Sequence, residues 1–367
     1  LSVEEMPPPR LNVPPGSCAS IKMIDNNSRL ANIPTAVAFG PPISNFEYLP
    51  AFPSFSFLIE NSQRRKVLYD LAIRPDWRNL SPVTVNRLEA TSWRLSADSH
   101  VIDILKENGV AGKDVEAIIW SHWHWDHLGD PSTFPASTDL VVGPGFKSEF
   151  LPGYPTDKDS PILENDYEGR RLIELDFSDE CIKIGGMNAY DYFGDGSFYL
   201  LDAPGHAIGH LCGLVRTTTI PDTFIFLAGD AVHHAAELRP SEHLPIPNAI
   251  SPHPIDSLVS TGSFCPGHIL EDLQISRGLS PGTPFFNPMA GYSPADIIST
   301  LSNVQNADCT DNIFVIFSHD THVSKIVDLF PLSLNQWKLE GWGELAKWKF
   351  LQDFESVIRS NSNKLKQ

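Results

Sequence analysis

The stretch "IIWSHWHWDHLGD", residues 118–130, sets three histidines and two aspartates directly after an apolar run. In extended backbone, positions i and i+2 point the same way, so His122 and His124 at the end of "VEAIIW" can converge on one ion. Asp126 and His127 follow where the chain must turn into a helix, and can reach a second ion beside the first. Imidazole suits zinc, and the added carboxylate widens the choice to iron or manganese. Any one of these residues alone would read as a surface or capping group; at this spacing the set reads as metal ligands. Trp123 and Trp125 read as packing residues that shape the turn.

A metal centre built at a strand end needs ligands from elsewhere, and three later stretches offer them. "LLDAPGHAIGH" (200–210) carries His206 and His210 behind a Pro-Gly turn, "FIFLAGDAVHH" (224–234) carries Asp230, and "IFVIFSHDTH" (313–322) carries His319. Each lies after an apolar strand. Separately they are weak signals; in register with the first stretch they form a ligand set.

The elements that must position these residues are legible in outline. "FSFLIE" (55–60) and "KVLYDL" (66–71) read as a hairpin of a buried sheet, 97–109 as a helix closed by Gly109, and 115–120 as a strand. Further strands are expected at 138–143, 171–175, 197–202, 211–216, 223–228 and 313–317, giving an α/β order. Helices are expected at 293–306 and in "EGWGELAKWKFLQDFESVIRS", whose apolar stripe is Leu345, Trp348, Leu351 and Phe354. Residues 1–35, rich in proline, read as an extended N-terminal arm, with order beginning at "TAVAFG". The rest, 36–367, reads as one catalytic domain with a Pro/Gly-rich, lid-like insertion at about 235–292. In that insertion "GTPFFNPMAGY" would line an apolar or aromatic pocket, although ordinary core packing accounts for most such residues, while Arg239, His243, His253 and His268 read as a solvated loop.

Composition narrows the function. The 367 residues carry 27 Lys and Arg against 45 Asp and Glu, a formal charge of −18, which repels phosphate backbones and anionic lipid. A small-molecule substrate is expected, with no nucleic acid and no membrane. Five cysteines (Cys18, Cys181, Cys212, Cys265, Cys309) are odd in number and lack C-x-x-C pairing, so neither a disulfide framework nor a zinc knuckle is expected. No stretch approaches the roughly 18 apolar residues of a span. The expected location is cytoplasmic; the start at Leu1 instead of Met suits a trimmed chain and leaves a removed leader open.

H-x-H-x-D-H, then A-P-G-H-x-x-G-H, then strands ending in G-D and S-H-D together resemble the metallo-β-lactamase superfamily, in its lactonase and glyoxalase-II-like branch, over roughly 36–322. The Pro-rich insertion resembles that of fungal members. The resemblance implies an α/β fold, the four-layer αββα sandwich, with a dinuclear site along one edge of the paired sheets. Carried over by position, one metal takes His122, His124 and His206, the other Asp126, His127 and His319, and Asp230 bridges them. Two zinc ions are the expected cofactors, with iron or manganese as alternatives. The same pattern makes His206 the ligand and leaves His210 to orient a neighbour by hydrogen bonding.

Two adjacent cations would deprotonate a bridging water near neutral pH, and the hydroxide would attack a carbonyl, with Asp126 orienting it or moving its proton. Bacterial homoserine-lactone lactonases of the family place a tyrosine three residues after the bridging aspartate, where this chain has His233. His233 or His234 is therefore expected as donor or general acid. The expected reaction is opening of a cyclic ester or amide in a small metabolite or xenobiotic. The alternative is a thioesterase releasing a carrier-protein-bound polyketide, against which the acidic surface counts. A sulfur dioxygenase would lose part of the second ligand set, a nuclease would want a basic face, and a non-catalytic scaffold would drop ligands. The sequence leaves a homodimer open.

Overall fold

The apolar runs become two six-stranded sheets, and in each the strands lie side by side in chain order. The structure, a computed structural model, describes residues 10–177, 182–255, 264–356 and 358–359. The first sheet comprises β1 (Ala19–Ile24), β2 (Ser56–Asn61), β3 (Lys66–Tyr69), β4 (Val115–Ile119), β5 (Asp139–Val142) and β6 (Leu172–Glu174). Its β1–β3 pair antiparallel, and β3 to β6 run parallel. The second comprises β7 (Ile182–Ile184), β8 (Met187–Asp191), β9 (Phe198–Asp202), β10 (Leu211–Thr219), β11 (Asp222–Leu227) and β12 (Ile313–Ile316). All its pairs are antiparallel except β11 with β12.

Strands buried on both faces read as continuous apolar runs, and alternate residues then serve different layers. Val67, Tyr69, Ala117 and Ile119 share a core with Leu200, Leu211, Ile225 and Leu227 of the second sheet. Leu68 and Ile118 turn the other way, toward Ile102 and Leu105 of the helix Val101–Glu107. On the far side, Leu201, Leu214, Phe226 and Val315 pack with Leu301 and Val304 of the helix Pro294–Asp308. Helix, sheet, sheet and helix form the expected four-layer αββα sandwich.

Three expectations fail. Residues 10–35 are no loose arm: β1 is the edge strand of the first sheet, registered from Ala19 opposite Asn61 to Ile24 opposite Ser56. Ile21 and Met23 are buried there, each contributing about 1.5–3 kcal/mol. The buried Arg216 guanidinium also donates to the Pro14 carbonyl, holding the preceding stretch. Residues 1–9 of the expected arm lie outside the described ones. The C-terminal segment is not one helix but Trp342–Lys347 followed by a 3-10 turn, Lys349–Phe354, which buries Leu351 and Phe354 and leaves Leu345 exposed.

The described part of the insertion is not lid-like either. Leu238, Ile246, Ile250, Leu270, Phe285 and Phe286 are buried in the cluster under the second sheet's outer face, and His268–Ser276 is helical; residues 256–263 lie outside the description. Arg239, expected in solvent, is buried and donates to both oxygens of Asp308 at 2.7 and 2.5 Å, and to the Lys347 carbonyl; His253 is buried as well. Removing one member of a buried pair strands the other charge. Asp308→Ala is expected to lower the unfolding free energy by about 3–5 kcal/mol, and Arg239→Met with Asp308→Leu to recover most of it; urea denaturation of the three proteins checks this. Cys18, Cys212, Cys265 and Cys309 are free, and Cys181 lies outside the described residues. Among the described residues, no helix is long and apolar enough to cross a membrane.

Candidate metal centre

The C-terminal ends of β3, β4, β9, β11 and β12 deliver the site's polar residues. After β4 the buried Trp120 donates its indole N–H to the Leu128 carbonyl, closing the turn that presents His122, His124, Asp126 and His127. Gly229 precedes Asp230 at φ +54°, and a Cβ there would meet His210 Nε2 at 2.8 Å. That nitrogen accepts the Asp230 N–H at 3.0 Å while His210 Nδ1 donates to the Ala203 carbonyl. His210 thus sits behind Asp230 and fixes its backbone.

All seven expected ligands converge. Candidate ligand atoms of His122, His124, His206 and Asp230 lie within 4.8 Å of one another, and so do those of Asp126, His127 and His319. His206 Nε2 is 3.2 Å from His122 Nε2 and 2.9 Å from His124 Nδ1. Asp230 faces both groups: Oδ1 lies 3.2 Å from Nε2 of His127 and of His319, and Oδ2 lies 3.8 Å and 3.6 Å from Nε2 of His122 and of His206.

A residue the sequence reading passed over sets the tautomers. Asp70, fully buried at the end of β3 with φ 59°, accepts from the Ser121 N–H (2.6 Å), the Ser121 hydroxyl (2.7 Å) and His127 Nδ1 (2.9 Å). With its hydroxyl proton committed, Ser121 accepts from His122 Nδ1 at 3.0 Å. His319 Nδ1 donates to the Pro53 carbonyl at 2.8 Å. Each of these rings therefore turns Nε2, not Nδ1, toward the centre. The available signal was an aspartate directly after an apolar strand, one of the few side chains that tolerate a left-handed backbone.

The electrostatics match. Burial holds His122 and His206 well below the ordinary imidazole range and His124 down to about 4, keeping them neutral donors. Burial opposes a charge on His127 too, yet Asp230, Asp70 and Asp126 raise its pKa well above the usual value. His127 Nε2 and Asp230 Oδ1 are buried, 3.2 Å apart, and neither has a hydrogen-bond partner. With Nδ1 donating to Asp70, Nε2 and the carboxylate oxygen call for positive charge between them, a proton in the metal-free protein or a cation in its place. The residues present fit divalent cations.

The structure separates the two histidines expected as proton donors. His233 Nε2 lies 3.4 Å from Asp230 Oδ2, its ring stacks at 6.2 Å on His319, and it lines the cavity beside the centre. His234 does not line that cavity: Nδ1 accepts the Ala236 N–H and Nε2 donates to Asp353 at 3.1 Å, among phenylalanine rings. Its expected catalytic role is corrected to a capping one.

The cavity holds about 670 Å³ and reaches His124, Asp126, His206, Asp230, His233 and His319. Its apolar wall comes from Leu30, Ile33, Leu49, Phe52, Trp93, Trp123, Trp125 and Phe150, with Val83, Thr84 and Arg87 of the helix Pro82–Glu89. Among the described residues of the insertion, only Ala290, Gly291 and Tyr292 take part. Leu30 and Ile33 of the expected arm line the same pocket. A third carboxylate and histidine group, Asp76, His100 and Asp130, is already paired with the buried Arg74, which donates to both carboxylates.

Known proteins converge on this description. The sequence profile of the metallo-beta-lactamase superfamily matches residues 49–264, and the chain belongs to that superfamily. The chain is 42% identical over 364 residues to the gamma-lactamase FDB1 of Fusarium pseudograminearum, covering 96% of this chain and 87% of that one. It is 40% identical over 359 residues to the cytochrome P450 monooxygenase mpaDE of Penicillium roqueforti, covering 96% of this chain but only 39% of that much longer protein. Its fold matches a single-residue mutant of B. thuringiensis AiiA, solved with N-decanoyl-L-homoserine at the active site, with a TM-score of 0.57, 16% identity and coverage of 86% of this chain and 99% of that one.

Proposed function

We propose that this chain is a dinuclear metal hydrolase that opens a cyclic amide or cyclic ester of a small molecule. His122, His124 and His206 would hold one divalent cation and Asp126, His127 and His319 the other, with Asp230 between them and zinc the first candidate. The observation that carries the reading is the gathering of candidate ligand atoms from His122, His124, His206 and Asp230, and from Asp126, His127 and His319, each group within 4.8 Å, with His122, His124 and His206 kept neutral by burial. The gamma-lactamase relative supports a ring-opening reaction.

Two such cations supply a nucleophilic water at neutral pH and polarise a carbonyl. The chain's own residues do the rest. Asp126 Oδ2, 3.5 Å from His319 Nε2 and on the cavity wall, orients the attacking water and accepts its proton. His233 presents Nε2 to the cavity, where it donates a proton to the departing nitrogen or oxygen, its backbone N–H fixed by Glu237 at 2.7 Å. Phe52, Trp123 and Trp125 exclude bulk water. His233→Phe is expected to lower kcat about 100-fold on an unactivated lactam, and much less on an aryl ester whose leaving group needs no proton. Steady-state kinetics on the two substrates checks this; equal effects would remove the donor role.

The test of the reading is a hydrolysis screen over lactams, lactones and thioesters, with and without chelator, alongside elemental analysis. Ring opening that chelator abolishes, with two metals per chain, is expected. Preference for thioesters would favour the carrier-protein alternative, for which the −18 chain shows no basic excess to meet an acidic carrier. Activity insensitive to His122→Ala would overturn the site.

A further inference from the structure

Past Leu227 and Ile316 the parallel ladder between β11 and β12 ends, and two loops follow, one carrying Asp230 and His233 and the other His319. Backbone contact persists through the Ala228 N–H to Ile316 and the Ser318 N–H to Gly229. Further along, the connection is made by a side chain from the other end of the sequence. Asp353 Oδ2 lies 3.1 Å from His234 Nε2 and 3.1 Å from His322 Nε2. Because His234 Nδ1 accepts the Ala236 N–H, its proton is on Nε2 and points at the carboxylate.

All three side chains are buried, at 7%, 8% and 7% exposure for His234, Asp353 and His322. His234 stands four residues beyond Asp230 and His322 three beyond His319. Phe286, Phe350 and Phe354 ring His234 within 6.0 Å, so water does not compete for these bonds. A carboxylate buried this way strengthens its hydrogen bonds and makes their loss costly.

We propose that Asp353 is a positioning residue, a clamp whose single oxygen ties the Asp230–His233 loop to the His319 loop and so holds the ligands of the second cation and the His233 donor in register. The inference rests on the two-cation centre proposed above. It assigns the C-terminal segment a part in the active site, although none of its described residues lines the cavity.

The test is titration of the metal-free protein with Co2+, followed by calorimetry and visible absorption. Asp353→Ala is expected to weaken the second equivalent about 10–100-fold and to change its absorption band, with the first equivalent unaltered. Asp353→Asn keeps one acceptor oxygen for both imidazole donors and is expected to restore most of the loss. His322→Phe cuts one arm within apolar surroundings and carries the same expectation, so the proposal remains testable should Asp353→Ala fail to fold. Wild-type binding and spectrum in Asp353→Ala or in His322→Phe, with only a lower Tm, would overturn the clamp while leaving the hydrolase reading intact. A third equivalent lost in Asp353→Ala would also overturn it, making the trio a ligand set. A wild-type chain that takes up no cobalt overturns both readings together.

Discussion

Asp230→Ala is expected to yield a protein that no longer retains two cations and that turns over its substrate at least about 1,000-fold more slowly. One carboxylate faces five imidazoles here, with contacts of 3.2 Å to His127 and His319, 3.4 Å to His233, and 3.6 and 3.8 Å to His206 and His122. Its removal deletes the negative charge that both cations would share. Electrostatic stabilisation by metal is worth several kcal/mol, and each factor of ten in rate about 1.4 kcal/mol, so three orders of magnitude is the scale to expect. Elemental analysis after gel filtration and turnover of the ring substrate check the two halves independently; two metals per chain with unaltered turnover would refute the bridging role. The metal-free protein offers a second reading. Burial alone would raise the Asp230 carboxyl, but His127 and His319 hold it well below the carboxylate range. A depressed carboxylate contributes stability that is present above its unfolded pKa and is lost as pH falls through the folded value. Urea unfolding of the chelated wild type should therefore show an acid-side loss that Asp230→Ala lacks.

How much of this was legible in the sequence follows from locality. His122, His124, Asp126 and His127 fall within six consecutive positions after one apolar strand, so their convergence needs only strand geometry and a turn. His206, Asp230 and His319 were found because each also ends a strand, and a sheet edge collects strand ends. The sandwich was legible for the same reason, since its strands are apolar runs buried on both faces. What escaped depends on long-range pairing. β1 is six residues of mixed pattern between prolines, and only its register against β2, in contact with Ile59 and Phe57, makes it a strand. The cavity wall draws on Leu30, Phe52, Trp93 and Phe150, which no periodicity unites. His233 and His234 are neighbours in sequence, and one extended residue turns them to opposite sides of the backbone: φ −152° and ψ 139° at His234 send its ring to Asp353.

Asp70→Ala is expected to cost about 3–5 kcal/mol of stability and to weaken both cations about 10–100-fold. Three donors end on this fully buried carboxylate, and two of them set the ring tautomers of His127 directly and of His122 through Ser121. Without it no acceptor holds a proton on His127 Nδ1, and Nε2 is no longer reserved for a cation beside Asp230. Conservative replacement sharpens the prediction, because Asp70 and Asp353, both buried, use their oxygens differently. Asp353 receives both of its donors on Oδ2, so an asparagine oxygen can replace it. Asp70 receives the Ser121 N–H on Oδ1, and the Ser121 hydroxyl and His127 on Oδ2. An asparagine there must set its NH2 against a donor on one side or the other. Asp70→Asn should therefore behave like Asp70→Ala in cobalt titration and in urea unfolding, whereas Asp353→Asn should behave nearly like wild type. Tolerance of asparagine at Asp70 would show that its charge and both of its oxygens are dispensable, and would break the link from β3 to the ligand tautomers.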